Sequence, residues 1–426
     1  MARIVEGRTE AARRDHITEP AALADVATAE ALIFVPSPAA WRRAGTPGGL
    51  SLLERQVKQL VELGRARIVL LVPEGDPEPA VDVARARIGV HRVPAAVRDL
   101  AEALAATPQR PEAFLALGAD RLVDMRVLRV LLDREATTFA TVDGERPEPV
   151  AWVRGADVAR HGAAVAADAD RCEVGEIDAY RAELRGDAAP YVVGVETAGE
   201  RREAWRVLLD HVQKRVLDLP GRYFDPPFED FLVRRLAPTD VTPNQITVLT
   251  FVVACAVAAL FYGGWLRVGI VLALVVEVLD GVDGKLARLK LQTSKLGELE
   301  HAGDFFYENA WYLTLGSYLS RAAGLPGLWY AGWTLVVCDL CDNLLYLTAQ
   351  RWTGRMLDEL SPFDRRFRAV AGRRNIYAMI LVVGFFTGHA VQAFVCAVAW
   401  AVVTVGVHAV RVAHVIATRP RSRAAA

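Results

Sequence analysis

The chain has few cysteines and almost no net charge. Five cysteines are scattered among 426 residues, mostly within apolar runs, which excludes a disulfide framework and fits a reducing compartment or a membrane. The 50 Lys and Arg residues against 51 Asp and Glu leave a formal net charge of -1, which excludes the basic surplus of a general nucleic-acid binder. Residues 1–27 also lack the apolar core of a signal peptide, and we expect them to form a flexible tail in the cytoplasm.

The composition, 53% hydrophobic yet 24% charged, indicates that polar and apolar residues are segregated along the chain. Residues 28–195 alternate short apolar runs with amphipathic stretches. This β-α-β pattern predicts a soluble α/β domain with a mainly parallel sheet. Residues 196–241 contain a charged helical stretch, several prolines and the amphipathic run FEDFLVRRL, so they predict a linker followed by an interfacial helix.

From residue 242 to 416 the chain predicts an all-α domain of six transmembrane helices, each of which needs about 20 apolar residues. The six apolar segments lie at residues 246–265, 267–289, 298–321, 327–349, 375–388 and 390–413. Basic residues follow the second, fourth and sixth segments, the last of them in a tail at 417–426. By the positive-inside rule these regions face the cytoplasm. We therefore expect a multi-pass protein of the inner (cytoplasmic) membrane with both termini in the cytoplasm.

Acidic residues cluster at the end of the second apolar segment and the start of the third. Spacing of i, i+3, i+4, i+7 and i+8 places five residues on one face of the second helix, namely Asp280, Asp283, Gly284, Ala287 and Arg288. The third helix carries acids at i, i+4 and i+8, namely Glu300, Asp304 and Glu308. Carboxylates near a bilayer are costly unless they are paired or bound to metal, and such oxygen donors suit Mg²⁺ or Mn²⁺. The two helices therefore predict a divalent-metal site that recruits substrate phosphates.

The same residues carry a family resemblance. The run Asp280-x2-Asp283-Gly284-x2-Ala287-Arg288-x8-Gly297 resembles the signature of the CDP-alcohol phosphotransferases, and TPNQIT at 242–247 is similar to that family as well. The resemblance covers residues 222–416. It implies a six-helix membrane enzyme that transfers a phosphoalcohol from a CDP-alcohol to a hydroxyl acceptor, a lipid or a polyol phosphate, and releases CMP. It also implies contact with membrane lipids and a homodimer.

The resemblance further implies a role for each residue of the cluster. The implied metal ligands are Asp280, Asp283, Glu300 and Asp304. The implied nucleotide-binding residues are Gly284, Ala287 and Arg288. Asp304 would also accept the proton of the acceptor hydroxyl, as the general base.

The third helix can be aligned with the family pattern in three ways. The family pattern continues as Gly-x3-Asp-x3-Asp, which places His301 and Phe305 at the acidic positions. A one-residue deletion instead places Glu300 and Asp304 there, and we favour it because phenylalanine can neither bind metal nor take a proton. An alternative alignment that uses Asp304 and Glu308 remains open.

Residues 28–195 are similar to the sugar-phosphate nucleotidyltransferase fold, on the stretches GGLSLLERQVKQLVELGRARIVLLV and LALGADRLVDMRVLRVLL. The fusion of two such domains resembles the bifunctional inositol-phosphate cytidylyltransferase and di-inositol-phosphate phosphate synthase proteins, in which the first domain makes the CDP-alcohol from CTP. In that role Arg42, Arg43 and Asp120 would act. However, FVPSPAAWRRAGTPGG stands where a Gly-rich loop would wrap the triphosphate, so we expect a degenerate, regulatory or docking domain.

Two other functions use the same residues. A cation transporter would use the carboxylates with the soluble domain as a sensor, although a cation path gains nothing from the guanidinium of Arg288. A membrane scaffold with an inactive site is the other alternative.

Further polar candidates, for lining the pocket or pairing helices, are Asp339, Asp342 and Asn343. Arg373 and Arg374 are either ordinary positive-inside charge or ligands of an anionic acceptor or lipid phosphate.

Overall fold

A computed structural model describes residues 25–41, 47–144, 146–292 and 296–418, without the side chains of 41 and 296–302. Several predicted residues therefore lie outside what is described: the N-terminal tail before residue 25, Arg42, Arg43, the side chains of Glu300 and His301, and the basic tail after residue 418. The chain divides into two compact units. The first contains the described parts of Met1–Thr46, Leu50–Asp178 and Ala189–Ala204, and the second contains Pro47–Gly49, Ala179–Ala188 and the described parts of Trp205–Ala426.

The first unit is built on a seven-stranded sheet with the order β3-β2-β1-β4-β7-β6-β8. Its strands are β1 Ala31–Phe34, β2 Arg67–Pro73, β3 Arg87–Val93, β4 Ala113–Gly118, β6 Thr138–Thr141, β7 Pro147–Arg154 and β8 Asp170–Glu173. A separate antiparallel pair joins β5 Arg121–Val123 to β11 Val192–Gly194. In the large sheet β7 alone runs antiparallel to its neighbours, so the prediction of a mainly parallel sheet is confirmed.

Helices cover this sheet because its central strands are apolar on both faces. Every residue of β1 is buried, as expected of a strand between two parallel neighbours. The helices are α1 Leu52–Glu62, α2 Leu100–Ala106, α3 Met125–Leu132, α4 Gly155–His161 and α5 Val165–Asp168, and a further helix, α6 Ala198–Val212, begins in this unit and ends in the second. Side chains fix their starts: the Ser51 hydroxyl accepts a hydrogen bond from the Glu54 amide, and the Asp99 carboxylate accepts one from the Glu102 amide.

The second unit is helical, apart from a short hairpin of β9 Tyr180–Arg181 and β10 Gly186–Asp187. Its helices are α7 Leu219–Tyr223, α8 Asp225–Leu236, α9 Pro243–Tyr262, α10 Leu266–Leu289, α11 Leu296–Ala323, α12 Gly327–Thr353, α13 Pro362–Arg368, α14 Arg374–Thr387 and α15 Ala390–Thr418. Each of the six apolar segments coincides with one helix, and the amphipathic run forms α8. In the part of the chain described, α9 and α15 are long and apolar enough to cross a membrane, and α14 is a shorter apolar helix.

Turn chemistry explains where these helices begin and end. Thr242 and Gln245 form a capping box at the start of α9, with Pro243 in the first turn. Gly388 adopts a left-handed conformation with φ of 80° and separates α14 from α15. The last two apolar segments are therefore distinct helices, although their sequences form one nearly continuous apolar run.

Two glycines allow α11 and α12 to pack closely. A Cβ added at Gly316 would lie 2.9 Å from the Leu328 carbonyl oxygen, and one added at Gly332 would lie 2.9 Å from the Tyr312 carbonyl oxygen. Backbones approach this closely only when small residues face each other. The pair fixes the packing of α11, which carries Asp304, against α12.

Candidate active site

Helices α9, α10 and α11 enclose a cavity of about 290 Å³, the carboxylate cavity. Three of the predicted site residues line it, namely Asp280, Asp283 and Asp304. Thr247, from the TPNQIT motif, lines it as well, and its hydroxyl donates a hydrogen bond of 2.9 Å to Asp283 Oδ2. Two motifs that are separated in sequence therefore meet at one wall.

A second cavity, of about 390 Å³, shares Asp280 and Asp304 with the carboxylate cavity. We call it the polar cavity. Its wall includes charged residues from α11, α12 and α14: Glu308, Asp339, Asp342, Arg373 and Arg374. Two carboxylates thus border both spaces.

Arg374, the first residue of α14, links these acids. Its Nη2 lies 2.8 Å from Asp280 Oδ2 and its Nη1 lies 2.9 Å from Glu308 Oε1. Nη1 also donates to the Tyr307 hydroxyl. An arginine that bridges two partly buried carboxylates offsets the cost of placing them together. Sequence reasoning left Arg374 as a possible anion ligand and did not detect this pairing.

Arg373 forms a longer ion pair than Arg374 does. Its guanidinium lies 4.0 Å from Asp342 Oδ2, and its side chain is 35% exposed. Asp342 also accepts a hydrogen bond from the His408 ring on α15. Asp339 accepts one of 3.0 Å from the Asn309 amide. The α12 acids therefore both line the polar cavity and pair helices, the two roles that the sequence left open.

The predicted nucleotide-binding residues lie further along α10. Arg288 Nε donates a hydrogen bond of 2.9 Å to the Val212 carbonyl oxygen. Its guanidinium also lies beside Gly284, where an added Cβ would be 3.4 Å from Nη1. Neither Gly284, Ala287 nor Arg288 lines the carboxylate cavity or the polar cavity. The structure therefore brings the acids together but does not join this trio to them.

Carboxylate oxygens are the donors that Mg²⁺ and Mn²⁺ prefer, so Asp280, Asp283 and Asp304 fit such an ion chemically. Among the residues that the structure describes, no group of three His, Cys, Asp or Glu side chains is close enough to hold an ion. The remaining predicted ligand, Glu300, has no described side chain.

Several acidic residues near the site gave no recognisable signal in the sequence. Asp218 accepts hydrogen bonds of 3.3 Å from Arg368 and Asn375 at the rim of the polar cavity. Asp225, on α8, is 2% exposed. Burial raises the pKa of Asp225 to about 7, and the neighbouring carboxylate of Glu229 adds to the rise.

The first unit has a cavity of about 430 Å³ beyond the ends of β1 and β4. Asp120 lines it, but Arg121 Nη1 lies 2.7 Å from Asp120 Oδ2, and Arg121 Nε lies 2.9 Å from Glu148 Oε2. The acid that a cytidylyltransferase would use is therefore already paired with a cation.

Comparison with known proteins shows which family the helical part of the chain resembles. The CDP-alcohol phosphatidyltransferase family model matches residues 240–406. Three relatives are each named bifunctional IPC transferase and DIPP synthase. That of Rubrobacter xylanophilus is 31% identical over 36% of this chain and 33% of its own length. That of Thermococcus kodakarensis is 45% identical over 34% of this chain and 32% of its own length. That of Aquifex aeolicus is 28% identical over 32% of this chain and 30% of its own length.

The matched part of the chain thus spans about a third of the length of these relatives. A solved structure, the phosphatidylinositol phosphate synthase of Mycobacterium tuberculosis with CDP-DAG bound, is 18% identical over 44% of this chain and 92% of that chain, with a TM-score of 0.34. The family predicted from the Asp280 to Gly297 signature is confirmed by the family model. Residues 240–406 of this chain are therefore similar to the CDP-alcohol phosphatidyltransferases.

Proposed function

We propose that the helical domain transfers a phosphoalcohol from a CDP-alcohol to a hydroxyl acceptor, with release of CMP. The single observation that carries the proposal is the position of Asp280 and Asp304, which line both the carboxylate cavity and the polar cavity. A donor in one cavity and an acceptor in the other would meet at these two carboxylates. Family membership of residues 240–406 supports the same chemistry.

The residues divide into two groups by role. Asp280, Asp283, Glu300 and Asp304 would hold Mg²⁺ or Mn²⁺. When bound, such an ion would neutralise the negative charge of the pyrophosphate. The cytidine nucleotide would lie along α10 beside Gly284, Ala287 and Arg288.

The bonds of the reaction balance without a further co-reactant. The acceptor hydroxyl oxygen attacks the phosphorus that carries the alcohol, a new phosphate ester forms, and the bond to CMP breaks. Asp304 takes the proton of that hydroxyl, since it borders the space on the acceptor side. Arg374 would stabilise negative charge that develops on the transferred phosphate.

The acceptor would bind in the polar cavity, as the headgroup of a lipid or as a polyol phosphate. Acids and arginines line this space, and both kinds of acceptor carry hydroxyl groups with which such residues form hydrogen bonds. Of the arginines there, Arg373 has the looser ion pair, which would leave its guanidinium available to an anionic acceptor.

We also propose a multi-pass arrangement in the cytoplasmic membrane with six spans and both termini in the cytoplasm, and a homodimer as the assembled form. The two long apolar helices α9 and α15 support the membrane location. The aromatic face of α8 supports an interfacial position, because Phe228 and Phe231 are 52% and 58% exposed.

For the first unit we propose a nucleotidyltransferase-like fold with a regulatory or docking role, because Arg121 already pairs with Asp120. The alternative is a second activity that makes the CDP-alcohol from CTP. The relatives are named as bifunctional proteins, and this favours the alternative. Incubation of the full chain with CTP and a panel of phosphoalcohols, followed for pyrophosphate release, separates the two roles.

The test of transfer uses the purified full chain, a panel of radiolabelled CDP-alcohols and a panel of acceptors, with CMP release as the readout. We expect Mg²⁺-dependent CMP release that Asp283→Asn and Asp304→Asn abolish. Asp210→Asn, which changes a half-exposed acid of the same unit, is the matched control. Activity retained in both site variants contradicts the proposal. Metal-dependent cation flux without protection by cytidine nucleotides against thermal unfolding would favour a transporter.

A further inference from the structure

Lys285 lies within the signature segment but faces away from the carboxylate cavity. It follows Asp283 by two residues, and its side chain is 3% exposed. Its ammonium group lies 2.8 Å from Glu229 Oε2 and 2.6 Å from Asp230 Oδ1, both on α8. Neither the carboxylate cavity nor the polar cavity includes Lys285 in its lining. Its ammonium group is instead paired with the two acids of α8.

Glu229 also contacts α10 at Gly281, one turn before Lys285. A Cβ added at Gly281 would lie 1.8 Å from Glu229 Oε1 and 2.4 Å from its carboxyl carbon. The Glu229 side chain therefore lies directly on the α10 backbone, and only glycine leaves room for it. Gly281 immediately follows Asp280, so the contact is made at the residue next to a proposed metal ligand.

These contacts form an ion cluster that is costly to break. Glu229 has an 8% exposed side chain, and that of Asp230 is 37% exposed. Removal of the lysine from such a cluster leaves a buried carboxylate without its cation, which is strongly destabilising locally. The cluster thus holds α8 and α10 in one arrangement.

We propose that Lys285 is a positioning residue: its ion pairs with α8 set the rotation of α10 about its axis, and so the direction in which Asp280 and Asp283 face. A helix rotated by one residue would turn these carboxylates by about 100° away from the cavity. We name Lys285, Glu229 and Asp230 the α8 clamp. Its effect on catalysis rests on the proposed transferase function, whereas its mechanical part does not.

The experiment compares Lys285→Met with the charge swap Glu229→Lys/Lys285→Glu in the purified full chain. Lys58→Met, which removes a lysine paired with Glu54 in the first unit, is the control. Two readouts are followed. Trypsin cleavage after Arg234 and Arg235, the basic residues at the end of α8, reports release of that helix. CMP release reports kcat and the KM for the CDP-alcohol.

For Lys285→Met we expect cleavage about tenfold faster, a kcat at least about tenfold lower and a higher KM, since Gly284, Ala287 and Arg288 turn together with the carboxylates of the same helix. The charge swap should recover part of the loss in both quantities, because it restores the ion pair between positions 229 and 285 but leaves an acid at 285 facing Asp230. A lysine that only contributes to general stability would not explain this recovery. Unchanged cleavage overturns the α8 clamp. Faster cleavage with an unchanged kcat would contradict the proposal that Lys285 positions the carboxylates of Asp280 and Asp283.

If the wild-type chain releases no CMP from any CDP-alcohol, the transferase proposal fails by itself. Cleavage after Arg234 and Arg235 still decides the mechanical part in that case. Faster cleavage in Lys285→Met that the swap reverses supports the clamp, and unchanged cleavage contradicts it.

Discussion

Arg374 Nη2 lies 2.8 Å from Asp280 Oδ2, although the two residues are 94 positions apart in the sequence. The pair joins the start of α14 to the signature helix α10. The same guanidinium reaches Glu308 on α11. Three helices are therefore tied together by one cation at the wall between the carboxylate cavity and the polar cavity.

Arg374→Met should lower kcat for CMP release by about 100-fold or more, because the charge that faces the transferred phosphate is lost along with the partner of Asp280. Arg374→Lys should retain part of the activity, since it keeps the charge but not the two-pronged geometry. Arg366→Met, at an exposed position of α13, is the matched control and should behave like wild type. Equal activity in Arg374→Met and wild type would contradict the assigned role.

Thr247→Val should reduce transfer by about tenfold, because the Asp283 carboxylate loses a hydrogen-bond donor while the shape of the side chain is kept. The measurement is Mg²⁺-dependent CMP release over a range of Mg²⁺ concentrations, where we expect a higher Mg²⁺ requirement. Thr334→Val provides the control, since that hydroxyl is exposed and bonds within its own helix. An unchanged Mg²⁺ requirement argues against Asp283 as a metal ligand.

Gly332→Val should lower the free energy of unfolding by about 1–3 kcal/mol, because the added carbons meet the Tyr312 carbonyl and force α11 and α12 apart. Thermal unfolding in detergent, followed by tryptophan fluorescence, measures the change. Gly327→Val adds the same side chain where a Cβ meets nothing within 4 Å. Similar melting temperatures for the two variants would show that the close packing of these helices is not required.

The pKa of Asp225 predicts a pH-dependent stability. Its folded-state pKa of about 7 lies above the ordinary value of 3.8, so folding favours the protonated acid. This contribution is fully present below about pH 4 and is lost as the pH rises through about 7. Asp225→Asn keeps a neutral group at all pH values, and its advantage in melting temperature over wild type should grow from pH 5 to pH 8. A constant difference across that range contradicts the raised pKa, and Asp210→Asn controls for loss of a carboxylate.

The sequence was sufficient to predict local features. The six apolar helices appear at the predicted places because apolar runs are interrupted by glycine, proline and charged residues, as at Gly388. The shared face of Asp280 and Asp283 followed from helical spacing alone. Strand order in the first unit did not follow, because it depends on which strands pair across long connections.

Contacts between distant elements were not predictable in the same way. The pairing of Arg374 with Asp280 and of Lys285 with Glu229 depends on how α8, α10 and α14 pack, and no spacing in the sequence encodes it. Asp218 and His408 gave no signal either, since each is a single polar residue without a motif. Glu300 remains a predicted ligand.

The wall shared by the two cavities has a kinetic consequence. If donor and acceptor occupy the two spaces as proposed, a ternary complex would precede transfer and no covalent enzyme intermediate would be needed. Initial rates with both substrates varied should then give intersecting rather than parallel double-reciprocal lines. A single in-line displacement at the wall formed by Asp280 and Asp304 would also invert the configuration at phosphorus.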